Sequence, residues 1–230
     1  MNIFLDTPYF GIILSIVFFE LGLYIYRKTK IPVFNPLLIS IIFVMAILTI
    51  FKIDIDYYSR GGNLISFFLG PATVILAVPL YKQLGLLKRN FIPIIVGITA
   101  GCITAIISVF FLTKAFNMEN TIAVSMIPKS VTTPIGMEIS AQIGGIPAIT
   151  VGMIVITGIV GAVIGSPICN LFRIKDEVAV GIAIGTASHA VGTTKAMELG
   201  ETQGAMSSLA IGLAGLITVL LTPLLINLLS

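Results

Sequence analysis

The sequence predicts an all-α polytopic membrane protein made of inverted structural repeats with discontinuous or re-entrant helices. Three observations predict it: an apolar composition, a series of span-length apolar runs, and a second half that echoes the first. Of 230 residues, 57% are hydrophobic and 10% charged, with a mean hydropathy of +1.11. A water-soluble domain carries about 25% charged residues, because its surface needs them. This chain cannot cover itself with polar surface, so its solvent is lipid, where about 20 apolar residues cross the hydrocarbon core.

Taken in order, apolar runs occupy 8–26, 32–51, 62–81, 91–113, 146–170, 177–194 and 204–228. The start, Met1-Asn2-Ile3-Phe4-Leu5-Asp6, has no basic region of a cleavable signal, so the first run is expected to be retained as a helix. Between 120 and 145 lies an apolar but broken segment holding Pro128, Pro134, Gly136, Gly144 and Gly145, with Lys129 and Glu138 inside it. The expectation is about seven crossings and one re-entrant segment. Gly97/Gly101, Gly161/Gly165 and Gly181/Gly185 are small-xxx-small pairs, which let helices approach closely in lipid. Cys102 and Cys169 lie inside apolar runs and read as buried small hydrophobes.

A shift of 115 residues, half the chain, brings Gly70-Pro71-Ala72-Thr73 onto Gly185-Thr186-Ala187-Ser188, Ile31-Pro32 onto Ile146-Pro147, and Leu84-Gly85 onto Leu199-Gly200. The reading is a duplication: residues 1–115 as the first repeat, 116–230 as the second, in a single membrane domain. Charge decides their relative orientation. Arg27, Lys28 and Lys30, then Lys82, Lys88 and Arg89, then Arg173 and Lys175 form three basic loops. All three face the cytoplasm only if 120–145 enters and leaves on one side. The loop 82–89 then maps onto 197–204, which holds Glu198 and Glu201 and no lysine or arginine, so equivalent loops lie on opposite sides. The net charge of +3 is a topology signal, and no nucleic-acid partner is expected.

A glycine, proline or polar break at mid-membrane depth leaves backbone groups that lipid cannot satisfy, so it survives only against protein or a cavity. Inverted repeats with a broken helix in each half are a transporter-like arrangement, in which helix ends face a substrate near the midplane. Three breaks are expected here, at 70–73, 128–138 and 185–195. They concentrate hydroxyls, the one histidine and several charges. The candidate substrate-binding residues are Thr73, Thr132, Thr133, Glu138, Thr186, Ser188, His189, Thr193 and Thr194. Hydroxyls and freed N–H groups replace the hydration shell of a small anion, and a lysine or histidine neutralises it. The plainer alternatives are specific. Membrane Ser and Thr often bond back to their own helix. Glu20, inside the first span, is a counter-ion or a snorkelling side chain. Lys195 and Glu198 are spaced for a helical ion pair. One histidine excludes His-based metal clusters, and there is no phosphate loop or nucleophile elbow, so no enzyme and no metal site is expected.

At these residues a resemblance emerges. Pro128-Lys129-Ser130-Val131-Thr132-Thr133-Pro134-Ile135, Gly165-Ser166-Pro167, Gly185-Thr186-Ala187-Ser188-His189-Ala190-Val191-Gly192-Thr193, and Leu69-Gly70-Pro71-Ala72-Thr73 through Ala77-Val78-Pro79-Leu80-Tyr81 resemble the LrgB/CidB family. The resemblance covers nearly the whole chain. It implies a multi-pass protein of the bacterial inner membrane. Bacterial members are described as regulators of murein hydrolase export and lysis, working beside a small LrgA/CidA-like membrane protein in a holin-like scheme. Other members look like monocarboxylate transporters: the plant plastidial relative moves glycolate and glycerate, and some bacterial pairs are linked to pyruvate. The expected function is transport of a small monocarboxylate of the glycolate, glycerate, pyruvate or lactate type. The alternative is a holin-like, antiholin-associated regulator of murein hydrolase activity and lysis. Expected partners are a small organic anion, an LrgA/CidA-like protein, the lipid bilayer and further copies of the chain as a homo-oligomer. No cofactor is expected beyond a coupling H+ or Na+.

Overall fold

The computed structural model describes residues 5–29, 34–68, 71, 74, 81 and 84–229. Among them the regular structure is all helical, and the chain divides into two compact units, residues 1–75 and 76–230. This division reflects packing and does not follow the expected repeat boundary at 115/116.

The first unit contains α1 (Pro8–Thr29), α2 (Pro36–Ile50) and α3 (Ile55–Phe67). Glycine sets its packing. A Cβ on Gly11 of α1 would lie 3.1 Å from the Cα of Gly61 in α3, so the two backbones touch. Gly22 admits the start of α2 in the same way, 2.9 Å from Pro36 Cα. Ser15 donates to the Gly11 carbonyl (2.8 Å) and accepts from Tyr58 OH (2.9 Å), joining α1 to α3. Phe18 and Phe43 stack at 5.3 Å between α1 and α2. Asn35 caps α2 at Leu37 N (2.9 Å) and Asp54 caps α3 at Asp56 N (3.1 Å). Glu20 is exposed on α1.

The second unit contains α4 (Leu84–Arg89), α5 (Phe91–Ala115), α6 (Asn120–Met126), α7 (Thr133–Gln142), α8 (Pro147–Leu171), α9 (Glu177–Leu199) and α10 (Glu201–Leu229). α5 buries Ile94, Ile98, Cys102, Ile106 and Val109, nearly one per turn, which is a single helical face. Its first part packs with Ile182 of α9 and Ala205, Met206, Ala210 and Ala214 of α10; its second part packs with Val124 and Ile127 beside α6.

All three small-residue pairs of this unit converge on α9. Gly181 and Gly185 admit α10, with ideal Cβ positions 3.0 Å from Gln203 Cα and 2.8 Å from Ser207 Cα. On α5, Gly101 receives Thr186 Cγ2 at 2.8 Å, and on α8, Gly165 receives Ile184 Cγ1 at 3.4 Å. α9 is therefore the hub, clasped from three sides at backbone distance.

Four described helices are long and apolar enough to cross a membrane: Pro8–Thr29, Phe91–Ala115, Pro147–Leu171 and Glu201–Asn227. The protein is a multi-pass membrane protein. The count is below the seven expected from apolar runs for identifiable reasons. α2 has 15 residues, about 22 Å at 1.5 Å per residue. α9 has the length but carries hydroxyls and His189 along its middle. Half of the run 62–81 falls outside the described residues. The segment 120–145 forms two short helices, α6 and α7, of 7 and 10 residues, each too short to span about 30 Å.

Candidate functional site

The expected break at 185–195 is present. α9 is two half-helices joined at His189, whose backbone has φ 42 and ψ −138. That is left-handed territory, which a non-glycine residue occupies only when its surroundings enforce it. The enforcement is visible. The His189 ring is buried, 4% exposed. Its Nε2–H donates to the Ile154 carbonyl of α8 at 2.9 Å. The ring fits there because residue 158 is glycine: a Cβ would stand 2.7 Å from His189 Cε1. Ser188 lies over Gly161, again where a side chain would collide. Thr193 donates to the His189 carbonyl (3.0 Å) and pairs with Ser207 Oγ of α10 (2.7 Å).

The expected break at 128–138 is the turn between α6 and α7. Pro134 sits in the first turn of α7, where its missing N–H costs nothing. A buried hydroxyl cluster ties this segment to α8. Thr150 Oγ1 donates to the Ser125 carbonyl at 2.7 Å and lies 2.7 Å from Ser140 Oγ. Ser125 Oγ accepts from Ile146 N at 2.7 Å. The turn at 127–132 is thus anchored against the spans, with Lys129 at its centre. Of the third break, Gly70, Ala72 and Thr73 lie outside the described residues, and so does any test of its symmetry with 185–188.

Two cavities flank the first half of α9. One, of about 630 Å³, lies on the α5 side and is lined by Gly97, Gly101, Lys129, Ser130 and Thr186 among others; Asn90 and Asp176 line it as well. The other, of about 470 Å³, lies on the α8 side and is lined by Thr157, Gly161, Lys129 and Ser188 among others. Lys129, Ala183 and Ala187 line both.

The structure therefore sorts the expected residues. Thr186 lines the first cavity, 7% exposed, and its hydroxyl oxygen has no hydrogen-bond partner among the described residues. Ser188 lines the second cavity. His189 and Thr193 lie buried at and after the break, outside the lining of both cavities. Thr132 is the N-cap residue of α7 and Thr133 its first residue, both half-buried. Glu138 is exposed on α7 and accepts from Gln142 Nε2 at 3.0 Å. Thr194 is exposed and bonds back to the Val191 carbonyl at 2.7 Å. Lys195 and Glu198 pair at 2.7 Å, as their spacing suggests. The residues that the choice of candidates passed over are Lys129 and Ser130. The available signal was a lysine in an apolar, proline-bounded turn with no acidic residue within four positions.

This arrangement presents one cation, Lys129, one exposed acid, Asp176, several hydroxyls and small apolar residues, and the lysine end of it suits a small anion. The described residues hold no cluster of His, Cys, Asp and Glu able to take a metal ion.

Comparison with known proteins adds the lineage. The LrgB-like family matches residues 15–228. The antiholin-like protein LrgB of Bacillus cereus (strain B4264) is 37% identical over 219 residues, covering 95% of this chain and 95% of the relative. The antiholin-like protein LrgB of Bacillus anthracis (strain A0248) is similar to the same extent, 37% over 219 residues. No solved structure matches. With agreement over almost the full length of both chains, the protein belongs to the LrgB-like family.

Proposed function

We propose that this membrane protein acts as an antiholin-like regulator of murein hydrolase activity and lysis, working beside a small LrgA/CidA-like membrane protein. The supporting observation is the 37% identity to antiholin-like LrgB proteins across 95% of the chain. An antiholin acts from within the bilayer, and four spans place this chain there. The test is deletion of the gene in its host, followed by zymography of secreted murein hydrolases and by lysis kinetics. Earlier lysis and stronger hydrolase bands are expected, reversed by the wild-type gene. Unchanged bands and lysis would reject the regulatory reading.

A second reading is favoured by a separate observation, the cavities against a broken helix. We propose that the chain carries a small monocarboxylate of the glycolate, glycerate, pyruvate or lactate type, coupled to H+ or Na+. A holin-like regulator has no need of a hydroxyl-lined cavity beside a strained helix break, whereas a transporter builds its site from such breaks. Purified protein in liposomes should take up labelled lactate, pyruvate or glycolate faster than empty liposomes. Uptake no faster than in empty liposomes for all three would reject it.

A further inference from the structure

We infer that Lys129 is the anion-binding group of this protein, holding one small monocarboxylate where the two cavities flanking α9 meet. The inference deepens the transport reading by naming its binding group, and it rests on that reading for the passage of the bound anion across the membrane.

The first argument is position. Lys129 is the charged side chain common to both cavities. Beside it the lining runs through Gly97 and Gly101 of α5 and Thr186 of α9, which are interior positions of membrane-length helices. An ion reaching either cavity meets the same ammonium.

The second argument is charge. Lys129 joins no ion pair among the described residues; its hydrogen-bond partner is Ser130 Oγ at 3.3 Å. Intramembrane lysines almost always pair with an opposite charge or line a wet cavity, and they mark substrate pathways. The turn is held by the buried Ser125–Ser140–Thr150 cluster, which fixes the backbone from which the half-buried Lys129 side chain reaches the cavities.

The third argument is independent of the lysine. Thr186 is 7% exposed, lines the first cavity, and carries a buried hydroxyl with no partner among the described residues. Buried hydroxyls are rarely left so. A carboxylate in the cavity accepts from the ammonium, and a turn of the Thr186 rotamer would bring that hydroxyl to it as a second donor.

Valence and size are set by the same residues. The cavity's acidic residue, Asp176, is exposed at the start of α9 and is engaged in capping it at Ala179 N (2.8 Å). Lys129 brings one positive charge, and Gly97, Gly101, Ala183 and Ala187 bring none. A monoanion is neutralised there. A dicarboxylate leaves a second charge uncompensated in a low-dielectric setting, which the site cannot offset. A cavity of about 630 Å³ admits a short-chain carboxylate with water.

The test uses the full chain in lipid nanodiscs, acetylated by an amine-reactive ester, with modification at each lysine read by mass spectrometry. Sodium lactate is the probe, with sodium chloride, disodium succinate and glycerol as comparisons. Lactate at several times its Kd should slow acetylation of Lys129 by about fivefold, as mass action requires, and leave Lys88 and Lys114 unchanged. Succinate and glycerol should protect little. Lys129→Arg should keep lactate uptake and Lys129→Gln should lose at least about tenfold, the scale of a charge-assisted pair. Equal acetylation of Lys129 with and without lactate overturns the inference; that is also the result if a partner's carboxylate occupies the lysine. Wild-type uptake by Lys129→Gln overturns it while leaving the transport reading standing. Protection of Lys129 without uptake by wild-type protein does the reverse.

Discussion

His189 Nε2 lies 2.9 Å from the carbonyl oxygen of Ile154, one helix away and 35 positions back in the chain. A carbonyl only accepts, so Nε2 carries the hydrogen. This bond holds a residue at φ 42 inside α9, a conformation that costs about 1–3 kcal/mol and must be enforced. His189→Phe keeps a ring in the notch above Gly158 and removes the donor. It should lower unfolding stability by about 1 kcal/mol, the net worth of a hydrogen bond. His189→Gln keeps an N–H of similar reach and should stay near wild type, with an unchanged pH profile of any transport. Thermal unfolding in nanodiscs and uptake between pH 5 and 8 check both. A flattened profile in His189→Gln would restore a titrating role to this residue.

Gly158 and Gly152 make a matched pair on α8. A Cβ at 158 would meet His189 Cε1 at 2.7 Å and Val191 Cβ at 2.9 Å, whereas at 152 nothing lies within 4 Å. Gly158→Ala should therefore destabilise by about 1–3 kcal/mol, the usual cost of overpacking. Gly152→Ala should be neutral or gain up to about 1 kcal/mol from helix propensity. Equal melting temperatures for the two variants would mean that the break does not press on α8 as described.

The Ser125–Ser140–Thr150 cluster is predicted to be cooperative. Thr150→Val preserves shape and strands the Ser125 carbonyl and Ser140 Oγ, both buried. A loss of about 1–3 kcal/mol is expected. Ser140→Ala should cost less, and adding it to Thr150→Val should cost almost nothing further, because the partner is already gone. A double-mutant cycle of unfolding free energies measures this; additive losses would show independent hydroxyls.

These residues also show what the sequence can and cannot convey. Apolar length and the clustering of Gly, Ser, Thr and His mark where the spans and the 185–195 break fall, since lipid penalises unsatisfied backbone wherever it occurs. They do not mark which residue takes the strain. Gly192 is the conformationally permissive choice, yet His189 breaks, because Ile154 and Gly158 belong to another helix. The same gap explains Glu138 and Lys129. Both are charges in one broken segment; Glu138 meets Gln142 one turn along its own helix, and only tertiary packing leaves that face exposed and puts Lys129 in the cavities. Thr186, Ser188 and Thr194 are alike in sequence, and the face of α9 on which each falls separates cavity from surface.

Topology is tied to the same packing and can be checked directly. Asn90, the N-cap residue of α5, and Asp176, the N-cap residue of α9, line one cavity, so both helices begin at the same end of the second unit. Lys88 and Arg89 precede that end in α4, and Arg173 and Lys175 lie in the turn that leads into α9. Four basic side chains at one end predict a cytoplasmic location. Glu201 opens α10 at that same end. Ideal Cβ positions on Gly181 and Gly185 of α9 lie 3.0 Å from Gln203 Cα and 2.8 Å from Ser207 Cα, and one on Gly192 lies 3.1 Å from Ile184 Cγ2. So α9 turns back at His189, and 197–204 lies at the end of 84–89, not opposite it as the charge pattern suggests. Cys102 and Cys169 are free and buried, so replacing both by alanine gives a background without reactive thiols. In it, Lys88→Cys and Arg173→Cys should react with an impermeant maleimide only after the membrane is opened. Glu201→Cys should behave in the same way. Lys88→Cys and Arg173→Cys on opposite sides would contradict the parallel start of α5 and α9. Glu201→Cys reacting in intact cells would mean that α9 crosses the membrane and does not turn back at His189.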